Sequence, residues 1–422
     1  MRAVVVALGK IGLPLAAHIA RAGHDVVGCD TDPRVVALIN DAIEPFPGES
    51  GLKDALLELV PAGRLRATSD TVAAVAAGAD LVVAVPPLIV DEGARPDYGV
   101  LDSVVADIGR GLKSGTVVSI ETTLPVGTTR GRVAARLAER SGLRPEEDFF
   151  TVHSPERVYS GRIFKDLETY PKLVGGLSAE GERRAIEIYR SFLGAEVWSM
   201  GSAEAAEMTK LAETTYRDVN IALANEFARF ADRVGIDVDK VIEAANSQPF
   251  SHIHRPGIAV GGHCIPVYPR FYLAGDPDAM LPAASRRVND AMPAYAVELL
   301  ARELGTAATG ARVAILGVSY RGAVKETAFS GAFAVRDELA RRGMQPLAKD
   351  PLYRADELRS LGFEPWDGEP IDAAILQADH PLFATLVPGD LPGARVIVDG
   401  RGVLDPAQWR ADGVTVRRIG SP

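Results

Sequence analysis

The chain begins with an unbroken apolar run, residues 3–8. It stops at Gly9-Lys10-Ile11-Gly12 and passes directly into a helical pattern over residues 12–22, closed by Gly23. An apolar run without alternation fits a strand covered on both faces, as parallel sheets require. A strand that turns through glycines into a helix restricts the fold to βαβ construction. The unit recurs: a strand over 26–29 ends at Asp30, a helix covers 33–39, and strands follow over 81–85 and 117–120. Pro86-Pro87 stops the third of these strands. The pattern predicts an open parallel sheet over roughly residues 1–195.

From Ala203 to about Val234 there is no glycine or proline, and Met208, Leu211, Thr215, Val219, Leu223, Phe227 and Phe230 recur at steps of three or four. That spacing predicts one amphipathic helix of roughly 30 residues, of the kind that joins domains or builds dimer interfaces. A second helical stretch is expected over 281–304. At Ala311 the strand–glycine pattern restarts, with strands over 312–316, 373–376 and 396–398, a helix over 333–342, and Asp350-Pro351 closing a further strand much as Asp30 does near the start. A second, smaller α/β domain follows from this. The net charge of −10 argues against nucleic acid and acidic membrane surfaces as partners. No run of about 20 apolar residues indicates a membrane span, and no cleavage site follows the first strand, so the cytoplasm is the expected compartment.

The turn between first strand and first helix has a chemical use. Gly9 lets a pyrophosphate approach the backbone, Gly12 lets the helix pack on the strand, and the helix amides face the phosphates. Ala7 stands where the first glycine of a G-x-G-x-x-G turn belongs. Asp30, 18 residues beyond Gly12, can accept the ribose hydroxyls and repel a 2′-phosphate, which favours NAD over NADP. Without a ligand, the same residues would be a tight strand–helix turn. Only two cysteines occur, Cys29 and Cys264, so no disulfide framework and no metal cluster is expected. Cys29 reads as a small buried strand residue. Cys264 lies in Gly261-Gly262-His263-Cys264-Ile265-Pro266. A lone thiol between a glycine pair and a proline stop reads as a nucleophile offered to substrate.

Further stretches complete the pattern: Gly9 to Ala16, Glu121-Thr122-Thr123-Leu124-Pro125-Val126-Gly127-Thr128-Thr129, Ser154-Pro155-Glu156-Arg157-Val158, Glu207-Met208-Thr209-Lys210-Leu211-Ala212-Glu213, Asn220 to Glu226, Leu316 to Gly322, and Asp399-Gly400-Arg401. With the cysteine loop in hand, the chain resembles the nucleotide-sugar 6-dehydrogenases almost end to end. The His-Cys-Ile-Pro form looks closer to the N-acetylhexosamine branch than to the glucose branch. The resemblance implies two Rossmann-like doubly wound α/β domains joined by a long central helix. It implies an NAD-binding domain over 1–195, a central helical dimerisation and substrate domain over 196–305, and a nucleotide-sugar-binding domain over 306–422. It also implies a homodimer through the 203–234 helix.

The implied activity is oxidation of a nucleotide sugar, a UDP-sugar favoured, at C6 from alcohol to carboxylate with two NAD per sugar. Cys264 would carry the thiohemiacetal and thioester, and Lys210 would hold the oxyanion. Glu156 and Thr123 would handle water or shape the C6 site. Gly9, Lys10, Ile11, Gly12, Asp30 and Thr123 would hold NAD; Glu156, Arg157, Lys210, Gly261, Tyr320 and Arg321 would hold the sugar nucleotide. Taken alone, Lys210 is a solvated helix lysine and Glu156 a salt-bridge partner of Arg157.

The chain departs from the family pattern at several of these positions. Tyr268 stands for an aspartate four residues beyond the cysteine, and Thr214 for an asparagine one turn beyond the lysine. Ala328 stands for an arginine and Gly331 for a proline in the last domain, and Val85-Pro86-Pro87-Leu88 replaces a Val-Pro-Thr-Pro turn. The departures leave open a dehydrogenase that halts at the aldehyde or acts at another carbon. A weakly active nucleotide-sugar-binding partner protein is the third reading.

Overall fold

The computed structural model describes residues 1–91, 93–159 and 161–421. Two compact units emerge: residues 1–213 with 270–276, and residues 214–269 with 277–422.

The first unit is built on eight strands: β1 (Arg2–Val6), β2 (Asp25–Cys29), β3 (Leu65–Thr68), β4 (Leu81–Ala84), β5 (Val117–Ile120), β6 (Phe150–His153), β7 (Lys172–Gly176) and β8 (Val197–Ser199). Their order is β8-β7-β6-β5-β4-β1-β2-β3. Every neighbouring pair is parallel except β6 with β7. Beyond β6, the run β3-β2-β1-β4-β5-β6 is the dinucleotide-binding order, which reverses direction between β1 and β4 and opens a crevice at their carboxyl ends. Strands β4 to β7 are buried at every position, as expected of a sheet covered on both faces.

The turn into α1 (Gly12–Arg21) is set by one close approach. A Cβ on residue 12 would lie 2.0 Å from the carbonyl oxygen of Ala7, so only glycine fits there. Ala7 itself takes a left-handed φ of 74°, a conformation glycine adopts freely and alanine does not. The glycine missing from the motif is therefore missing only as a residue type, since the backbone keeps the glycine geometry. Cys29 is fully buried, and burial pushes its thiol up to about 11, in keeping with a packing role.

Two helices carry other site residues of this unit: α2 (Ala179–Arg190), capped by the Ser178 hydroxyl, and the 32-residue α3 (Ala203–Val234). The expected single helix over 281–304 is two helices, Met280–Asp290 and Met292–Leu304. Pro293 lies in the first turn of the second, where its missing N–H costs nothing but where a continuous helix would have needed it.

Helix α4 (Tyr268–Gly275) begins just after the cysteine loop of the second unit, and its residues from Arg270 on belong to the first. Strands β9 (Arg312–Leu316), β10 (Gln345–Lys349), β11 (Ala373–Leu376), β12 (Val396–Asp399) and β13 (Thr415–Arg418) form an all-parallel sheet in the order β10-β9-β11-β12-β13. This is the other common doubly wound order, with its switch between β9 and β11. Helix α5 (Gly331–Arg341) follows β9, and its Ala332, Val335 and Leu339 pack into one core with Val313 and Ile315.

Ala7→Gly should stabilise the chain by about 0.5–1 kcal/mol, because it removes the left-handed strain of alanine while glycine loses more unfolded-state entropy. Denaturant unfolding should show a higher midpoint at unchanged slope.

Candidate active site

The phosphate turn has room for a ligand. No atom lies within 4 Å of where a Cβ on Gly9 would stand, Ile11 precedes α1, and Lys10 is exposed beside it. Asp30 is fixed by the backbone at both oxygens: Oδ2 accepts from Leu8 N at 2.9 Å and Oδ1 from Asp32 N at 2.9 Å. It stays half-buried at the end of β2, with lone pairs left for a ribose. These residues fit a dinucleotide. Thr123 is buried three residues beyond β5, and the preceding Thr122 hydroxyl donates to Pro86 O at 2.5 Å.

Farther along the same sheet lies a buried charge cluster. Lys172, the first residue of β7, is almost fully buried and donates from Nζ to Glu121 Oε2 at 2.7 Å and Glu156 Oε2 at 3.0 Å. The other Glu156 oxygen accepts from the amides of Arg157 at 2.6 Å and Val158 at 3.0 Å. The other Glu121 oxygen accepts from the Tyr189 hydroxyl of α2 at 2.5 Å, which lies 2.7 Å from the Ser119 hydroxyl. Burial pushes the Glu121 carboxyl up to about 7, partly offset by the Lys172 charge. Burial also acts on Glu156, but Lys172 and the amides outweigh it and hold its carboxyl below the ordinary range. Burial disfavours the Lys172 ammonium, and the two carboxylates more than restore it. Removing one partner from such a buried set costs about 3–5 kcal/mol, because it strands the charge left behind. The partner that sequence offered for Glu156, the Arg157 side chain, is instead bonded to Glu213 at 3.2 Å.

Glu213 also lies 4.0 Å from Lys210. The first unit thus brings Glu156, Arg157 and Lys210 into one neighbourhood, with Glu213 between the two cations. One turn before Lys210 on α3, the fully buried Glu207 accepts from Gly127 N at 2.6 Å, Thr129 N at 2.8 Å and Thr129 Oγ1 at 2.6 Å. This carboxylate ties the loop after Thr123 to the helix that carries Lys210. Thr214, one turn after Lys210, is buried.

In the second unit Cys264 is exposed at the surface of its loop. Its carbonyl accepts from Tyr268 N at 2.9 Å, so the residue sits on the turn leading into α4. Gly262 has φ 89° and donates its N–H to Ala328 O at 2.8 Å. A Cβ at Gly261 would lie 2.6 Å from Tyr320 Cβ, and one at Gly262 3.1 Å from the Tyr320 ring. The glycine pair is therefore needed because the Tyr320 ring lies flush against the loop. Tyr320 is held in turn by Arg401, whose guanidinium donates to Tyr320 O at 3.0 Å and Gln377 O at 2.6 Å. Arg321 Nε donates to the Tyr320 hydroxyl at 3.1 Å. Sequence reasoning missed Lys172 and the bracing parts of Glu121, Glu207 and Arg401. The available signal was a lysine opening an otherwise apolar strand.

The glycine turn and Asp30 of the first unit fit the dinucleotide of a nicotinamide-dependent enzyme. Residues 1–193 match the NAD binding domain of the UDP-glucose/GDP-mannose dehydrogenase family, and residues 204–290 match its central domain. The chain belongs to that family and is an NAD-dependent nucleotide-sugar dehydrogenase. It is 36% identical over 413 residues to the UDP-N-acetyl-D-mannosamine dehydrogenase of Pyrococcus horikoshii, covering 96% of each chain. Against a solved structure of that UDP-D-ManNAc dehydrogenase the TM-score is 0.90 at 35% identity, over 100% of this chain and 99% of that one. The NDP-N-acetyl-D-galactosaminuronic acid dehydrogenase of Ralstonia solanacearum is 32% identical over 416 residues, 94% of this chain and 95% of that protein.

Gly262→Ala should lower stability by about 1–2 kcal/mol, since it places a Cβ at positive φ against the Tyr320 ring. Turnover should fall further than the folded fraction, as compared by thermal unfolding and steady-state assay of the same preparation.

Proposed function

We propose that the protein oxidises C6 of a UDP-N-acetylhexosamine, with UDP-N-acetyl-D-mannosamine as the favoured substrate, to the carboxylate. The supporting observation is Cys264: an exposed thiol on a loop whose backbone is fixed by Tyr320, Ala328 and the turn into α4. The identity to the two relatives named above supports an N-acetylated sugar. NAD, when bound, accepts the hydride in both oxidations. Alcohol, two NAD and water give carboxylate, two NADH and three protons. Cys264 Sγ adds to the aldehyde carbon; after the second hydride leaves, water cleaves the carbon–sulfur bond and restores the thiol. The reading assigns the developing oxyanion to the Lys210 ammonium and the water to Glu156, whose ionised form suits an acceptor. It places NAD on Gly9 to Gly12, Asp30 and Thr123, and the sugar nucleotide on Arg157, Gly261, Tyr320 and Arg321.

The reading also includes a homodimer, in the cytoplasm. Tyr216, Leu223, Phe227, Phe230 and Val234 are exposed on α3 at steps of seven, four, three and four, an apolar stripe on one helix face. Among the described residues, no helix is long and apolar enough to cross a membrane.

Incubation with NAD and a panel of UDP-sugars should give two NADH per sugar and a carboxylate product by mass spectrometry. A single NADH with aldehyde accumulating would instead favour the reading in which Tyr268 and Thr214 end the reaction early. Cys264→Ala should cut carboxylate formation by at least about 10³-fold. Phe227→Glu with Phe230→Glu should convert the dimer to a monomer by light scattering at micromolar concentration, with far-ultraviolet circular dichroism unchanged.

A further inference from the structure

The reaction assigns no part to Lys172, although it holds two carboxylates in a nearly dry site. Glu156 is turned toward the loop by two amides, and its remaining oxygen accepts from Lys172. Lys172 is fixed in turn by Glu121, and Glu121 by the buried Tyr189 hydroxyl. Beside the pair lies a cavity of about 10 Å³, lined in part by Pro155, Glu156, Arg157, Tyr170, Pro171 and Lys172, close to the room one water needs.

We propose that Lys172 is a positioning residue for the oxidation: it anchors Glu156 to the buried Glu121–Tyr189 pair and keeps the Glu156 carboxylate an oriented anion. The proposal rests on the reading of Glu156 as the group that handles water at the sugar carbon. A methionine or leucine at 172 would pack as well in β7, so packing alone does not require the ammonium. A buried cation facing two carboxylates is retained for its charge.

The charged groups around it fix the sign of the pH dependence. Glu121 and Glu156 face Lys172 from the loops after β5 and β6, and Tyr189 faces Glu121 from α2. Fully buried His153 on β6 has no hydrogen-bond partner at either ring nitrogen among the described residues. Burial, with the Lys172 charge added, pushes His153 down to about 3, so it stays neutral. Glu121 titrates near 7 in the fold against an ordinary 4.5. Its contribution to stability is therefore fully present below 4.5 and lost as pH rises through about 7. Without Lys172 both carboxyls would resist ionisation more strongly, and that loss would deepen.

The test uses the full chain with Lys172→Met, Lys172→Arg, Glu121→Gln and Glu156→Gln. The melting-temperature gap between wild type and Lys172→Met should widen from about pH 5 to about pH 8, and Lys172→Arg should close most of it. A gap that stays constant with pH overturns the proposal, since lost packing has no such dependence. Should Lys172→Met fail to fold, Glu121→Gln carries the same test: it should flatten the wild-type loss of stability across that range, and an unchanged slope overturns the cluster.

In turnover, Lys172→Met should lower kcat about tenfold or more, leave the KM for the nucleotide sugar within about threefold, and move the acid limb of the pH profile upward. A superimposable profile overturns the positioning role. Glu156→Gln separates this from the underlying reading. Wild-type turnover in that variant overturns the part given to Glu156, and the positioning with it. An impaired Glu156→Gln together with a flat stability gap overturns the part of Lys172 alone.

Discussion

A parallel sheet leaves its carboxyl edge lined with loops whose amides have no strand partner, and a buried N–H must find an acceptor. In this chain the acceptor is repeatedly a carboxylate. Asp30 takes the amide of Leu8, and at the corresponding place in the second sheet Asp350 takes those of Val318 and Ser319 at 2.8 and 2.9 Å. Asp399 takes Arg401, Gly402 and Leu404, and Glu207 takes Gly127 and Thr129. Each loop is thereby fixed at the edge where doubly wound sheets bind ligands.

The same device has two outcomes that differ in burial. Asp350 is buried and also meets His380 at 3.1 Å. Burial pushes its carboxyl up, but the histidine and the loop amides outweigh that and hold it down at about 2. Its acceptor capacity is spent inside the protein. Asp30, with one loop amide on each oxygen, stays half-buried and keeps capacity toward solvent or a ribose. A shared motif letter thus gives a carboxylate with open acceptor capacity in one sheet and a brace in the other. Glu156 belongs between them, because three donors hold it still while it remains partly exposed.

The elements legible in the sequence were those with one-sided physical causes. Gly12 is dictated by a carbonyl 2.0 Å from any Cβ, and the strands around it by uninterrupted burial. Asp30 could be found by distance along the chain. Strands Leu65–Thr68 and Val197–Ser199 were not legible, since exposed residues such as Arg66 and Trp198 break the apolar run at a sheet edge. The strand order of the second sheet was hidden too, because an apolar run says that it is covered and not which strand lies beside it. Lys172 was invisible for a different reason. Lysine is almost always solvated, and only the carboxylates brought to it by other strands reverse that expectation.

The departures at Tyr268 and Thr214 can be weighed in the same terms. The backbone at 268 donates to Cys264 O whatever its side chain, so replacing an acid there with tyrosine leaves intact the turn that presents the thiol. What changes is the charge that residue 268 can carry, since a phenol is neutral at pH 7 where a carboxylate is not. At Thr214 the side chain is buried one turn beyond Lys210, and a hydroxyl offers one donor where an amide offers two. The glycine turn, Asp30 and the Glu156 cluster keep the geometry that dinucleotide binding and an oriented carboxylate require.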